Sequence, residues 1–148
     1  MAIELPNDFK EFLKLLNSYE VEYLLVGGYA VGYYGYPRAT GDMDIWIAVH
    51  PDNANKLMRV LSDFGFGTVG LSEALFLQEN KITRMGNPPI RIEILTSISG
   101  VEFAECYAQR VTDVIDNVQV NLIDILHLKQ NKQAAGRYKD LDDLDNLP

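Results

Sequence analysis

The segment that decides the fold reads LVGGYAVGYYGYPRATGDMDIWI and spans residues 25–47. An apolar run from Tyr23 to Val26 leads into it, and such a continuous run is typical of a strand buried on both faces. A glycine pair then turns the chain into a short helix at Tyr29 to Tyr34, and an apolar, β-branched run follows from Ile45 to Val49. The segment therefore predicts a strand, a glycine turn, a short helix, a loop and a second strand.

Further helices and strands are expected on both sides of this segment. Apolar residues at helical spacing predict helices at about 7–17, 52–64, 103–107 and 124–135, and a last helix with Tyr138, Leu141, Leu144 and Leu147 on one face. Short apolar runs predict strands at 75–78, 81–85, 90–95, 111–115 and 118–122. We therefore expect an α/β (α+β) fold in which helices flank a mixed sheet and two helices close the chain.

Length and composition favour one globular domain. The chain has 148 residues, of which 47% are hydrophobic and 23% charged, so we expect a single domain over 1–148. Within it we place a catalytic core at about 20–100 and a C-terminal helical segment at about 122–147. The single cysteine, Cys106, cannot close an intrachain disulfide, and no stretch resembles a signal peptide or a membrane span. We expect a cytoplasmic protein with no membrane partner.

The charge balance argues against one class of partner. Thirteen Lys and Arg residues against twenty-one Asp and Glu residues give a formal net charge of −8. Proteins that bind duplex DNA do so largely by neutralising phosphates with basic side chains, so we expect no duplex DNA partner.

Asp42 and Asp44 are the first candidates for chemistry. They lie two positions apart at the start of a strand, so their side chains point to the same side, about 6.6 Å apart along it. Two carboxylates about 4 Å apart repel by about 4 kcal/mol at an effective dielectric of about 20, so a partly buried pair favours a bound cation. We expect Mg²⁺, which prefers oxygen ligands and bridges to phosphates, with Mn²⁺ as the alternative.

Gly27 and Gly28 are candidate phosphate-binding residues. They end a strand and open a helix, which leaves free backbone N–H groups and no side chain to obstruct a phosphate. A tight strand-to-helix turn needs glycine in any case, so the pair also has a purely structural interpretation. The carboxylates on the following strand favour the phosphate interpretation.

The same residues resemble a known superfamily. A Gly-Gly or Gly-Ser turn followed by Asp-x-Asp is the signature of nucleotidyltransferases related to DNA polymerase beta. The fuller pattern resembles the small bacterial branch of AbiEii-type toxins and minimal nucleotidyltransferases. It is carried by Gly27, Gly28, Ala30, Gly35, Arg38, Thr40, Asp42 and Asp44. The resemblance implies a polymerase-beta-like fold.

The resemblance also implies a third carboxylate on a later strand, facing the same metals. Glu93 fits this position, because it interrupts an otherwise apolar strand and a charge there needs a partner or a metal. Members of the superfamily commonly have Asp at this point, so the longer Glu puts catalytic efficiency in question. A solvent-facing Glu93 beside Arg91 is the alternative interpretation.

The activity implied by the resemblance is transfer of a nucleoside monophosphate from a nucleoside triphosphate, with ATP among the candidates, to an acceptor hydroxyl. Asp42, Asp44 and Glu93 would be the catalytic and metal-binding residues. Arg38 and Thr40 are predicted to bind phosphate and orient the loop, although an Arg38–Asp42 salt bridge that only orders the loop fits as well.

A basic cluster near the C-terminus offers further phosphate contacts. Its members are Lys129, Lys132, Arg137 and Lys139. Lys129 and Lys132 share a helix face, and we predict that these two and Arg137 bind phosphate. A solvated basic turn that balances the neighbouring aspartates is the alternative.

Other conspicuous side chains have structural interpretations. His50 and His127 lack a second His or Cys at ligand spacing, and Trp46 is expected in the core, on the sheet face opposite Asp44. One or two tyrosines of the short helix and its loop could stack on a base; these are Tyr29, Tyr33, Tyr34 and Tyr36.

Two functions are consistent with these residues. The first is a magnesium-dependent nucleotidyltransferase whose acceptor is an RNA end, a protein hydroxyl or a small molecule. The second is a catalytically weak member that senses nucleotide or binds a partner, such as an antitoxin in a toxin-antitoxin pair. Metal-dependent product formation distinguishes the two.

Overall fold

Helices cover both faces of a six-stranded mixed sheet. The computed structural model describes residues 3–37, 41–66, 71–87 and 89–148, and these ranges contain the elements named here. In chain order they are α1 (Asn7–Ser18), β1 (Tyr23–Val26), α2 (Gly27–Tyr33), β2 (Asp42–Ile47), α3 (Pro51–Phe64), β3 (Ile82–Asn87), β4 (Ile90–Leu95), α4 (Phe103–Ala108), β5 (Val111–Ile115), β6 (Val118–Leu122), α5 (Ile125–Ala135) and α6 (Tyr138–Asn146). Across the described ranges, no helix is long and apolar enough to cross a membrane.

The order of the strands across the sheet is β3-β4-β2-β1-β6-β5. Strand β2 runs antiparallel to β1 and parallel to β4, and β6 runs parallel to β1. The pairs β3–β4 and β5–β6 are antiparallel, and Asp116 and Asn117 in the β5–β6 turn have φ angles of 49° and 69°, as a two-residue hairpin turn requires. The predicted mixed sheet flanked by helices is confirmed.

Each face of the sheet has its own core. On one face α1 and α3 cover a cluster that includes Phe12 and Leu57. The other face carries a smaller cluster around Leu24 and Trp46, to which α2, α4 and α5 contribute. Trp46 is buried as expected, but residues two apart on a strand point the same way, so it shares its face with Asp44. The prediction of opposite faces is wrong.

The region before β3 also differs from the prediction. The expected strand at 75–78 is replaced by a 3₁₀ helix at Glu73–Phe76, which buries Phe76 in the core. The periodicity of a short apolar run does not distinguish a strand from a helix, and either element can bury one aromatic ring. Strand β3 follows this helix and lies at the edge of the sheet, beside β4.

The apolar face predicted for the last helix is buried only in part, with Leu147 in the core. Tyr138 is 94% exposed and Leu141 is 44% exposed, whereas Asp140 and Asp143 are buried. The reason lies on α5, where the Lys132 ammonium is 3.3 Å from Asp140 and 3.0 Å from Asp143. Ion pairs with a buried lysine therefore determine how α6 packs.

Candidate active site

The sheet brings the three predicted carboxylates together. Asp44 on β2 is the direct neighbour of Glu93 on β4, and Asp42 is the neighbour of Arg91 in the same parallel pairing. Because residues two apart share a face of the sheet, Asp42, Asp44 and Glu93 lie side by side. The side chain of Glu93 is only 14% exposed and lines a cavity, so it is not the solvent-facing residue of the alternative interpretation.

Two arginines, one on β4 and one on the neighbouring β3, bind two of these carboxylates. Arg91 donates from Nε to Asp42 Oδ1 at 2.9 Å and from Nη2 to Asp42 Oδ2 at 2.8 Å. Arg84 is the cross-strand neighbour of Glu93 on β3 and donates from Nε to Glu93 Oε1 at 2.9 Å. Arg91 Nη2 also lies 3.8 Å from Glu93 Oε1. The guanidinium groups therefore neutralise much of the negative charge of Asp42 and Glu93.

Asp44 differs from its two neighbours. Its Oδ1 atom is buried and has no hydrogen-bond partner in the described part of the chain. Burial, the negative charge of the adjacent Glu93 and a hydrogen bond to it raise the pKa of Asp44 to about 7. By contrast, the Arg91 guanidinium holds the pKa of Asp42 below its usual value. A carboxylate oxygen that is buried, unpartnered and beside other acids has the properties of a cation ligand.

Gly27 supplies the space that Asp44 occupies. Its φ of +67° suits glycine, and a Cβ at this position would come within 2.1 Å of Asp44 Oδ2. Gly28 follows in the first turn of α2. The glycine turn at the end of β1 is therefore packed against the carboxylate of Asp44.

These groups line one cavity of about 470 Å³. It also contains Lys132, Arg137 and Lys139 from the last two helices and their connection, and Arg84 from the sheet edge. Of the predicted phosphate-binding residues, Lys129 does not line this cavity, and Arg38 and Thr40 lie outside the described residues.

Two cavity residues were missed as site residues by sequence reasoning. Lys139 lines the cavity with both aspartates, and its positive charge acts to lower the pKa of Asp42 and of Asp44. It belongs to the predicted basic cluster, so its charge was a usable signal. Arg84 has no local signal, because its role depends on the register of β3 against β4.

Lys132 lies at the cavity wall but has other partners. Its ammonium group is paired with Asp140 and Asp143, and its side chain is only 5% exposed. Arg137 donates to Asp140 at 2.7 Å and keeps a side chain that is 73% exposed. The exposed Arg137 is therefore better placed than Lys132 to meet a phosphate, and the role predicted for Lys132 stays a prediction.

The carboxylate oxygens of the site suit a hard divalent cation, although some of them already accept hydrogen bonds from the two arginines. Carboxylate oxygens are what Mg²⁺ prefers, and the unpartnered Asp44 Oδ1 fits that need. Yet among the described residues, no group of three or more His, Cys, Asp or Glu stands arranged to hold a metal ion. Glu93 and Asp42 instead accept hydrogen bonds from the guanidinium groups of Arg84 and Arg91.

The fold is similar to that of a protein of known structure. A crystal structure of a putative nucleotidyltransferase from Thermotoga maritima matches with a TM-score of 0.63 and 15% sequence identity, over 93% of this chain and 88% of that chain. At this identity the likeness shows a nucleotidyltransferase-like fold, and fold alone does not transfer an activity. No protein-family model matches the chain, and no curated protein matches it.

Proposed function

We propose that this chain is a nucleotidyltransferase that transfers a nucleoside monophosphate from a nucleoside triphosphate to an acceptor hydroxyl. Mg²⁺ is the proposed metal, with Mn²⁺ as the alternative, and the acceptor is an RNA end, a protein hydroxyl or a small molecule. The observation that carries the proposal is the side-by-side placement of Asp42, Asp44 and Glu93 next to the glycine turn. The nucleotidyltransferase-like fold supports it.

The triphosphate would bind where the glycine turn and the cationic side chains at the start of α6 line the same cavity. Gly27 and Gly28 leave the backbone accessible there, and Arg137 and Lys139 bring positive charge. Lys139 is the stronger candidate for the phosphate nearest the aspartates, since its charge acts on both of them.

The proposed reaction forms a bond from the acceptor oxygen to the α-phosphorus and breaks the bond from that phosphorus to pyrophosphate. Glu93 would accept the proton of the acceptor hydroxyl. Asp42, Asp44 and Glu93 would hold the metal, which when bound stabilises negative charge on the attacking and leaving oxygens. Arg137 and Lys139 would pair with the departing pyrophosphate.

The ion pairs of the site favour a second candidate function. With Asp42 bound to Arg91 and Glu93 bound to Arg84, the chain could hold nucleotide through Arg137 and Lys139 without completing a metal centre. Such a protein would be a nucleotide-binding or partner-binding subunit. Membership of the AbiEii-type branch, with an antitoxin as the partner, belongs to this proposal and rests on the sequence resemblance.

The first experiment measures the thermal stability of the protein with each of four ribonucleoside triphosphates, with and without Mg²⁺. A ligand at 100 times its dissociation constant stabilises a fold by about 2.7 kcal/mol, which is a measurable shift in Tm for a chain of this size. The variants are Asp44→Asn and, as a matched control outside the cavity, Asp145→Asn.

If the chain is the proposed enzyme, we expect nucleotide to raise Tm only when magnesium is present. The control should keep this shift and Asp44→Asn should lose it, and the native chain should release pyrophosphate. The nucleotide-binding or partner-binding subunit would be supported instead by a shift that does not depend on metal, together with a failure to release pyrophosphate with any acceptor tested. The absence of a shift with every triphosphate would contradict both functions.

A further inference from the structure

The arginines beside the carboxylates are placed there by the register of three strands. Arg84 on β3 is directly opposite Glu93, and Arg91 on β4 is directly opposite Asp42. Each basic side chain thus faces the acid that it binds, at 2.8 to 2.9 Å. Asp44, between them, makes no ion pair with either arginine.

A divalent cation and these guanidinium groups would use the same oxygen atoms. Arg91 donates to both carboxylate oxygens of Asp42, and Arg84 donates to Oε1 of Glu93. A metal at these oxygens would therefore compete with the guanidinium groups, both for lone pairs and through the repulsion between like charges. By contrast, Asp44 Oδ1 is buried and has no hydrogen-bond partner among the described residues, so a metal could take it without displacing one.

The two arginines differ in how firmly they are held. Arg84 lies on the edge strand, makes one hydrogen bond to Glu93 and has a side chain that is 56% exposed. Arg91 makes two hydrogen bonds to Asp42 and is 32% exposed. The long side chain of Arg84 can move into solvent at small cost, whereas the two-point contact of Arg91 is the stronger one.

We propose that Arg84 and Arg91 are internal counter-ions that keep the carboxylates assembled without a metal and compete with a divalent cation for Glu93 and Asp42. The proposal rests on the proposed function only in taking these carboxylates as the metal site. Metal uptake is then an exchange in which Arg84 leaves Glu93 first. Loss of either arginine tightens metal binding, although it removes a contact from the site.

The test measures Mn²⁺ binding at pH 8, from the electron paramagnetic resonance signal of free Mn²⁺, with no nucleotide present. The variants are Arg84→Gln and Arg91→Gln, and the matched control is Arg59→Gln, an exposed arginine of α3 outside the cavity. We expect Mn²⁺ to bind about fivefold more tightly to Arg84→Gln and about tenfold more tightly to Arg91→Gln, with no change in the control. Circular dichroism checks that each variant is folded.

Unchanged or weaker binding in folded Arg84→Gln and Arg91→Gln would overturn the inference. If Arg91→Gln does not fold, Arg91→Lys, which keeps the charge and loses the two-point contact, takes its place and should still tighten binding.

Asp44→Asn separates the two proposals. If this variant binds Mn²⁺ as well as the native chain does, the carboxylates are not the metal site and the proposed function fails too. If it loses Mn²⁺ while the arginine variants change nothing, only the inference on the arginines fails.

Discussion

Two clusters of charged side chains meet at the cavity, and they differ in burial. The sheet cluster comprises Asp42, Asp44, Glu93, Arg84 and Arg91, and the helix cluster comprises the buried Lys132, Asp140 and Asp143. In the sheet cluster the Arg84 side chain is 56% exposed, whereas in the helix cluster the Lys132 side chain is 5% exposed and those of both aspartates 1%.

The difference indicates which charges can change partners. An exposed guanidinium regains water when it leaves a carboxylate, so its ion pair can be exchanged for a metal or a phosphate. A buried ammonium has no such replacement, and removing one partner leaves an uncompensated charge inside the protein. We therefore assign chemistry to the sheet cluster and the packing of α5 against α6 to the helix cluster.

Asp44→Asn gives the largest expected effect and breaks the sheet cluster. Nucleotide transfer should fall by about 10³-fold, because the unpartnered oxygen of Asp44 is the central cation ligand of the proposed site. The measurement is the rate of pyrophosphate release at saturating nucleotide and metal. Asp145→Asn should keep the native rate, and an Asp44→Asn variant as active as this control would contradict the assignment.

Lys132→Met breaks the helix cluster. The substitution leaves Asp140 and Asp143 buried beside each other without their shared cation, so the free energy of unfolding should fall by about 3–5 kcal/mol. Urea unfolding followed by circular dichroism measures the loss. Lys129→Met, on the same helix but outside the cavity, should cost under about 1 kcal/mol. Equal stability of the two variants would contradict a structural role for Lys132.

Gly27→Ala tests the contact between the glycine turn and the sheet cluster. The added Cβ would lie 2.1 Å from Asp44 Oδ2 at a φ of +67°, so the free energy of unfolding should fall by about 2–3 kcal/mol and metal binding should weaken. Gly32→Ala in α2 is the matched control, since a Cβ there meets nothing within 4 Å and alanine favours the helix. If both variants behaved alike, Asp44 would not occupy the space that Gly27 leaves.

The sequence predicts the local parts of this structure and little of the clusters. Strands β5 and β6 have the predicted bounds, because alternating apolar residues and an Asp-Asn turn are local signals. The shared face of Asp42 and Asp44 is local in the same sense. Pairing of Arg84 with Glu93 depends on strand register, and burial of Asp143 depends on a lysine from another helix, so neither appears in any periodicity. The apolar pattern of the last helix accordingly predicts the burial of Leu147 but neither the exposure of Tyr138 nor the burial of Asp143.

The stability contributed by the two clusters should also change with pH in opposite directions. This is the smallest of the expected effects. Burial and the neighbouring acids raise the pKa of Asp44 to about 7, so between about pH 4 and pH 7 the folded protein holds a proton that the unfolded chain has released. Stability contributed at Asp44 therefore falls as the pH rises through this range. Burial opposes the change at Asp140, but Arg137 and Lys132 leave the pKa of Asp140 below its usual value, so its contribution is present above about pH 4 and is lost in acid.

Urea unfolding of the native chain, Asp44→Asn and Asp140→Asn between pH 3 and pH 8 measures both signs. Relative to Asp44→Asn, the native chain should lose about 1–2 kcal/mol from pH 4 to pH 7, a value reduced for the partial exposure of the side chain. Relative to Asp140→Asn, it should instead gain stability as the pH rises from 3. Saturating Mn²⁺ should remove the first slope and leave the second, because only the sheet cluster takes up a cation in place of a proton. The distinction between the clusters would be contradicted if the two pH slopes had the same sign, or if the slope due to Asp140 also responded to Mn²⁺. Burial would then not decide which cluster exchanges its partners.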